Sequence, residues 1–262
     1  GVDPGIVLVG LFAVRLVLRV PIAVSLGIAG MVVVYLSGLG SAMFAPVFFA
    51  NISKFSLLAI PFFILAGVIM GKAQISDKII RLISLIVGPI RGGLAVVTVI
   101  TALFWGAVSG SGPATVAALG TILIPGMVKA GYDRGFAAAL MSAASGLAII
   151  IPPSIAFIVY GVITGASIGK LFIAGIVPGI VVGVFLIIAA YIISVVRDYR
   201  GGAFGKLAEL WRAFREAFWG LIAPVIILGG IYGGIFTPTE AAAVAVVYGL
   251  FVGFVIYRTL NF

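Results

Sequence analysis

The chain has 262 residues, of which 63% are hydrophobic and only 9% are charged, and its mean hydropathy is +1.37. A soluble domain needs a far more polar surface, so the composition indicates an all-α polytopic membrane protein. Histidine and cysteine are absent from the sequence. The usual general base, the thiolate nucleophile and the usual zinc ligands are therefore missing, which argues against an enzyme.

The first third of the chain predicts three spans. Residues 5–18 and 21–36 form the first two, separated by a break at Pro21. Residues 38–54 are rich in Gly and Phe and predict a loop at the membrane interface. A third span covers residues 56–71, and Pro61 is expected to kink it.

Residues 72–91 have a different pattern. Lys72, Lys78, Arg81 and Arg91 are spaced among isoleucines and leucines. Such an amphipathic pattern is typical of a helix that lies in the interface instead of crossing the membrane.

Residues 92–128 predict a re-entrant hairpin. Two apolar arms, each at or below the lower limit of about 17 residues for a span, flank the sequence Ser-Gly-Ser-Gly-Pro at residues 109–113. Glycine and proline interrupt a helix, and broken backbone at membrane depth is tolerated where it is buried in protein or lines a watery cavity. Two interpretations remain open here, a polar ligand site and a glycine-rich packing seam.

A second interruption follows directly. Residues 135–165 are apolar but contain Ile-Ile-Pro-Pro-Ser at 150–154, and two consecutive prolines cannot continue a helix. Residues 170–196 predict a further span, and the basic segment 197–216 predicts another interfacial stretch.

The last two predicted spans cover residues 219–235 and 241–257. Between them, Thr237, Pro238 and Glu240 have the spacing of a helix-capping box. We interpret Glu240 as a cap and not as a catalytic or proton-carrying residue.

The basic residues support this topology. If residues 92–128 are re-entrant, Lys54 and Lys170 lie on one side of the membrane and the other fourteen lie opposite: Arg15, Arg19, Lys72, Lys78, Arg81, Arg91, Lys129, Arg134, Arg197, Arg200, Lys206, Arg212, Arg215 and Arg258. This bias predicts a cytoplasmic location for the larger set and an N-terminus outside. The net charge of +9 thus reflects topology, and we expect no nucleic-acid partner.

The polar groups expected at membrane depth are neutral. They are the hydroxyls of Ser109, Ser111, Thr115 and Ser154, together with exposed backbone. Proton-coupled carriers use intramembrane Asp, Glu or His, which this region lacks. Hard neutral oxygens suit Na⁺, as unwound carbonyls do in sodium-coupled carriers.

Three ordered motifs resemble one known family. They are Gly-Ala-Val-Ser-Gly-Ser-Gly-Pro-Ala-Thr-Val-Ala-Ala from Gly106, Ile-Ile-Ile-Pro-Pro-Ser at 149–154 and Gly-Ile-Phe-Thr-Pro-Thr-Glu-Ala-Ala-Ala at 234–243. Weaker matches are Val-Pro-Ile-Ala from Val20 and Ile-Pro-Phe-Phe-Ile-Leu-Ala-Gly at 60–67. Together they resemble the large membrane subunit of tripartite ATP-independent periplasmic (TRAP) transporters for organic acids.

The resemblance implies an ion-transporter-type inverted-repeat fold that works as a sodium-driven elevator. It implies a small membrane subunit and a periplasmic substrate-binding protein as partners, Na⁺ as coupling ion and no cofactor. Carried over by position, it implies sodium binding by Ser109, Gly110, Ser111, Gly112, Thr115, Ile151 and Pro152. Substrate binding is implied for Ser111, Pro113, Ala114, Thr115, Pro153 and Ser154.

Family members are much longer, so the resemblance implies that a second hairpin and a second proline break are missing. We therefore expect a fragment or a split protein, located in a bacterial or archaeal inner membrane and surrounded by membrane lipid. The expected division is residues 1–91 as scaffold and arm helix, 92–169 as part of the transport domain, 170–216 as a span with a basic segment, and 217–262 as the start of the second repeat. Two alternatives are another sodium–dicarboxylate symporter family and a non-transporting membrane scaffold.

Overall fold

The computed structural model describes residues 3–202 and 205–260, and within these ranges all regular secondary structure is helical. This confirms the predicted all-α class. The chain divides into two compact units, residues 1–54 and 55–262. The expected segments 1–91, 170–216 and 217–262 each include a few residues outside the described ranges.

The smaller unit contains three α-helices: α1 (Pro4–Val17), α2 (Ile22–Leu36) and α3 (Phe44–Ile52), with a 3₁₀ turn at Ser41–Met43 before α3. The prediction of a loop over residues 38–54 was wrong for α3. Gly38 and Gly40, which have positive φ angles, both precede the first residue of α3. Pro46 lies in the first turn of α3, where its missing N–H is tolerated.

The larger unit contains the other ten α-helices of the described residues. They are α4 (Ala59–Lys72), α5 (Ile75–Val87), α6 (Gly93–Ser109), α7 (Gly112–Lys129), α8 (Arg134–Ser145), α9 (Leu147–Ile150), α10 (Ile155–Thr164), α11 (Ile168–Val196), α12 (Leu207–Tyr232) and α13 (Pro238–Phe251). A 3₁₀ turn (Phe55–Leu58) precedes α4, and a π-helical turn (Val252–Ile256) follows α13.

Among the described residues, five helices are long and apolar enough to cross a membrane, or six if α8–α10 form one bent span. The chain is therefore a polytopic membrane protein. Helices α1, α2 and α6 are apolar but shorter, with 14, 15 and 17 residues. Helix α7 has 18 residues and is one of the five, so the predicted upper length of the second hairpin arm was wrong. Pro61, the third residue of α4, stands in the first turn, where it needs no kink in the middle of the helix.

Helix α12 is one continuous helix of 26 residues. The sequence predicts a separate interfacial segment up to residue 216, and this separation was wrong. No glycine or proline interrupts residues 207–219, while Ala213, Ala217 and Gly220 are buried on one face of the helix. A Cβ on Gly220 would lie 2.5 Å from the Ile75 side chain, so this face packs closely against α5.

Helix α5 has the predicted amphipathic character. Its buried residues are Ile75, Ser76, Ile79, Ile80, Leu82 and Ile83. Arg81, an exposed residue of α5, forms an ion pair with Glu216 of α12 at 3.0 Å. The apolar face of α5 is thus covered by protein, since it joins the core of the larger unit.

Helix α6 lies at the centre of that core. Trp105 is 1% exposed and is the largest of the fully buried side chains. Small residues allow neighbouring helices to approach α6 closely. A Cβ on Gly106, for example, would lie 2.7 Å from the Cα atom of Ala148.

Candidate functional site

The first interruption is a tight tip between α6 and α7. Helix α6 ends at Ser109, and Gly110 adopts a left-handed conformation (φ +63°). Ser111 caps α7, its Oγ accepting a hydrogen bond from the Ala114 N–H at 3.4 Å. Only Gly110 and Ser111 lie outside the helices, so the break is shorter than the predicted 109–113. Pro113 belongs to the first turn of α7, where a missing N–H leaves no bond unmade.

The second interruption covers residues 151–154, where the sequence predicts it. Helix α9 ends at Ile150 and α10 begins at Ile155, with a bend of 40° between the two halves of the broken helix. The Pro152–Pro153 peptide bond is cis. Ser154 caps α10, because its Oγ accepts a hydrogen bond from the Phe157 N–H at 3.3 Å and donates one to the Ile149 carbonyl at 2.5 Å.

The two interruptions are in direct contact, and we call residues 110–111 and 151–154 together the paired breaks. The Gly110 carbonyl accepts a hydrogen bond from the Ile155 N–H at 3.1 Å. A Cβ on Gly110 would lie 2.4 Å from the Pro153 carbonyl oxygen, so this position admits only glycine. Four helix ends, two N-terminal and two C-terminal, therefore meet at one point.

Most of the predicted site residues are brought together here and are buried. Ser109, Thr115 and Ser154 are fully inaccessible. Also buried are Gly110, Gly112, Ile151, Pro152 and Pro153, whereas Ser111 and Ala114 are partly exposed and Pro113 is exposed. Pro113 thus lies on the exposed side of the first turn of α7.

The hydroxyl protons of Ser109 and Thr115 are already used in hydrogen bonds. Thr115 Oγ1 donates to the Ser111 carbonyl at 2.8 Å. The proton of the contact between Ser109 Oγ and Thr115 Oγ1, at 3.2 Å, must then come from Ser109. Since each hydroxyl has one proton and two lone pairs, Ser109 Oγ keeps both lone pairs and Thr115 Oγ1 keeps one. The tip therefore offers acceptor capacity in a buried place, which suits a cation.

The polar groups of the site are uncharged hydroxyls and carbonyls. Throughout the described part of the chain, no group of three His, Cys, Asp or Glu side chains is arranged to hold a metal ion. The donor set at the paired breaks consists of hydroxyl and carbonyl oxygens, which favour hard cations over transition metals. The arrangement thus presents neutral oxygen ligands of the kind that hard cations prefer.

Three further residues fix the position of the paired breaks, and reasoning from sequence missed their role. A Cβ on Gly67 of α4 would lie 3.1 Å from the Ser109 Cβ, and one on Gly175 of α11 would lie 2.4 Å from the Ile150 carbonyl oxygen. Gly106 provides the close contact with Ala148 described above. Small residues in apolar helices were the available signal, but that signal does not identify the partner.

Comparisons with known proteins give the family. The model of the tripartite ATP-independent periplasmic transporter, DctM component, matches residues 9–262. The chain is 46% identical over 250 residues to the C4-dicarboxylate TRAP transporter large permease protein DctM of Vibrio cholerae, covering 94% of this chain and 55% of that protein.

Other relatives carry different names. The isethionate TRAP transporter permease protein DctMQ of Oleidesulfovibrio alaskensis is 47% identical over 262 residues, which is 99% of this chain and 41% of the relative. The ectoine TRAP transporter large permease protein TeaC of Halomonas elongata is 48% identical over 212 residues, 81% of this chain and 50% of the relative. The chain thus spans about half the length of the curated relatives that it matches. On this evidence the chain belongs to the DctM family of tripartite ATP-independent periplasmic transporter components.

Proposed function

We propose that this chain forms part of the membrane subunit of a sodium-coupled secondary transporter that imports an organic acid anion. Its relatives are named for C4-dicarboxylate, isethionate, ectoine and sialic acid. A carboxylate or sulfonate anion is the substrate class that fits most of these names.

Buried hydroxyl oxygens at two touching helix breaks support this function most directly. Ser109 and Thr115 are fully inaccessible and keep lone pairs that no proton of the described residues uses. Each of these hydroxyls makes a hydrogen bond, and a cation could bind the remaining lone pairs without breaking that bond. Na⁺ fits because its ligands in carriers are neutral hydroxyls and unwound carbonyls.

The assigned roles follow the sequence analysis. Sodium binding is assigned to Ser109, Gly110, Ser111, Gly112, Thr115, Ile151 and Pro152. Ser111, Ala114, Thr115, Pro153 and Ser154 are assigned to one wall of the substrate site, at the N-terminal ends of α7 and α10, where helix dipoles favour an anion. Pro113 stays in this set only as an exposed residue that borders the wall.

In this proposal the hairpin α6–α7 enters the membrane from the cytoplasmic side and moves, with the broken helix α8–α10, as one elevator against the other helices. The proposed setting is a multi-pass protein of the cytoplasmic membrane with its N-terminus outside. The proposed partners are a small membrane subunit, a periplasmic substrate-binding protein and the C-terminal half of the large subunit, which carries the opposite wall.

Sodium-dependent thermal stabilisation tests the proposal, with the chain supplied with its C-terminal half and the small subunit. Ligand that binds only the folded state raises stability by RT ln(1 + [L]/Kd). We expect NaCl to raise the unfolding temperature more than KCl or choline chloride at equal ionic strength. The shift should weaken in Ser109→Ala and persist in Ser142→Ala, a change at an exposed serine of α8.

Uptake by proteoliposomes completes the test. With the binding protein and a C4-dicarboxylate outside, an inward sodium gradient should drive uptake, while a potassium gradient should not. If sodium acts no differently from potassium in both assays, coupling to sodium is wrong. The paired breaks would then be a packing device, as in a non-transporting scaffold.

A further inference from the structure

Two buried tyrosines lie where the hairpin opens, at the end away from the tip. The rings of Tyr132, after α7, and Tyr199, after α11, stack with centroids 4.3 Å apart and an interplanar angle of 28°. Tyr132 is 3% exposed and Tyr199 is 9% exposed. We call this pair the tyrosine clamp.

Tyr199 binds both arms of the hairpin through its polar groups. Its carbonyl accepts a hydrogen bond from the Gly92 N–H, at the start of α6, at 3.0 Å. Its hydroxyl accepts a hydrogen bond from the Asp133 N–H, in the loop after α7, at 3.1 Å. One residue thus connects the beginning of the first arm to the end of the second.

Tyr132 contributes mainly its ring. Its N–H donates to the Met127 carbonyl at 3.0 Å, which ties the residue to the last turn of α7. Its hydroxyl lies near the backbone of Leu94 and Ala95 at the start of α6, without forming a hydrogen bond of normal geometry there. The stack with Tyr199 therefore connects the end of α7 to the segment after α11.

Neighbouring contacts extend the same junction. The Gly202 N–H donates to the Gly88 carbonyl at 2.8 Å. A Cβ on Gly92 would lie 2.3 Å from the Ser194 Cβ, so the backbone at the start of α6 touches α11. The exposed Arg197–Asp133 pair at 3.9 Å adds little, since solvent screens such pairs.

We propose that Tyr132 and Tyr199 are positioning residues, which hold the open end of the hairpin closed and thereby keep the tip against the second break. Arms α6 and α7 are separate helices that meet through a two-residue tip. If their far ends separate, the tip has more conformational freedom. Sodium binding must then order the tip, and this loss of entropy makes the binding free energy less favourable. Loss of the clamp should therefore lower sodium affinity at oxygens that it never touches. This inference rests on the sodium function proposed above.

The first measurement is independent of sodium. Because the sequence contains no cysteine, spin labels can be attached uniquely at Ala117→Cys on α7 and Tyr160→Cys on α10, both exposed positions. We expect a narrow distance distribution in the otherwise native protein and a broad one in Tyr199→Ala. Tyr191→Ala, at an exposed tyrosine of α11, should leave the distribution narrow.

The second measurement is the sodium Kd in the complete transporter. Tyr199→Ala should raise it about tenfold. Tyr199→Phe keeps the ring but leaves the Asp133 N–H without its acceptor, and should raise the Kd about threefold. Tyr132→Phe keeps the stack and should leave the Kd unchanged.

A destabilised control separates positioning from general loss of stability. Tyr257→Phe removes the hydrogen bond from the Tyr257 hydroxyl to the Glu216 carbonyl, far from the clamp in sequence. It should lower the unfolding temperature without changing the sodium Kd. If Tyr199→Ala behaves like this control, with a narrow distribution and an unchanged Kd, the clamp has no positioning role.

The outcomes distinguish the two proposals. Should wild-type protein bind no sodium while Tyr199→Ala still broadens the distribution, the sodium function fails and the clamp stands. If Tyr199→Ala does not fold, Tyr199→Phe provides the same comparison. A Tyr199→Phe protein with native Kd and native distance distribution would then overturn the proposal.

Discussion

Two interhelical turns in this molecule use the same local chemistry for different ends. At residues 233–237 between α12 and α13, Thr237 caps a helix that begins with Pro238, and the Glu240 carboxylate accepts from both the Thr237 N–H at 2.8 Å and its hydroxyl at 2.9 Å. At the paired breaks, Ser111 and Ser154 also cap helices next to prolines.

The two turns differ in burial and in the number of oxygen lone pairs that no hydrogen bond uses. The α12–α13 turn is largely open, with Ile235 71% exposed, and its cap is completed by a side chain of its own helix. The paired breaks are buried except at Ser111 and touch each other. The adjacent Ser109 and Thr115 hydroxyls keep lone pairs that no hydrogen bond from the described residues uses. A helix cap is a stop signal in both places, but only the buried pair offers oxygens to a ligand.

The largest effect is expected from replacing a glycine by alanine, a change that can be compared in both turns. Gly110 and Gly234 both have positive φ, +63° and +70°. A Cβ would meet the Pro153 carbonyl oxygen at 2.4 Å in the first, and nothing within 4 Å in the second. Gly234→Ala should cost about 1–2 kcal/mol of stability from backbone strain alone. Gly110→Ala should separate the breaks and abolish sodium-dependent stabilisation.

Thermal unfolding in NaCl and KCl measures both variants. A Gly110→Ala protein that keeps a native sodium response would show that contact between the breaks is unnecessary.

The second effect concerns the unused lone pairs. Thr115→Val removes the Oγ1 atom at nearly constant volume and should weaken sodium binding about 10-fold to 100-fold, because hydrogen-bonding-type contacts to a charged group contribute about 1.5–3 kcal/mol. Thr121→Val on the same helix is the matched control, since the Thr121 hydroxyl is a surface group 3.4 Å from the Ala118 carbonyl. Sodium titration monitored by calorimetry would read both. Equal affinities for the two variants would rule out Thr115 as a ligand.

A pair of cap deletions gives a smaller effect. Thr237→Ala and Ser154→Ala should each lower the free energy of unfolding by about 1 kcal/mol, as loss of an N-cap does. Only Ser154→Ala should also reduce the apparent affinity for the organic anion in uptake assays. If Thr237→Ala impairs substrate affinity to the same degree, the distinction between the two turns is wrong.

The smallest effect is expected from Glu240→Gln. The amide keeps the shape of the cap but weakens acceptance from Thr237, so stability should fall by about 0.5 kcal/mol. Initial rates of uptake, measured between pH 6 and pH 8, should match those of the wild type. A rate that loses its native pH profile in Glu240→Gln would instead assign a proton-carrying role to this carboxylate.

Local signals were read correctly from the sequence. The capping box at 237–240 and the second break at 151–154 both depend on proline and hydroxyl residues within one helical turn. The amphipathic helix α5 was predicted over residues 72–91 because basic residues are spaced there among isoleucines and leucines; the helix covers Ile75–Val87, so Lys72 and Arg91 lie outside it. Each of these features is decided by residues that are neighbours in the chain.

Features that depend on distant partners were missed or came only from the family resemblance. The contact between Gly110 and Ile155 cannot be derived from either segment alone. Helix α3 was missed because the Gly and Phe content of residues 38–54 suggested a loop, although the glycines of this segment all precede the helix. The stack of Tyr132 on Tyr199 left no trace in the pattern, since both residues stand beside charged, loop-like sequence.

Helix α11 has a mechanical consequence. Near the middle of the helix, a Cβ on Gly179 would lie 2.3 Å from the Ile151 side chain, and near its C-terminal end Ser194 touches Gly92. Ser194 follows Gly179 by fifteen residues, all beyond Pro178, so this part of the helix is a rod of about 22 Å. A rod of that length, tilted by about 10°, displaces one end by about 4 Å relative to the other. Helix α11 thus acts as a strut between the second break and the open end of the hairpin, and a tilt of this helix would move its two contacts relative to each other by a distance of atomic dimensions.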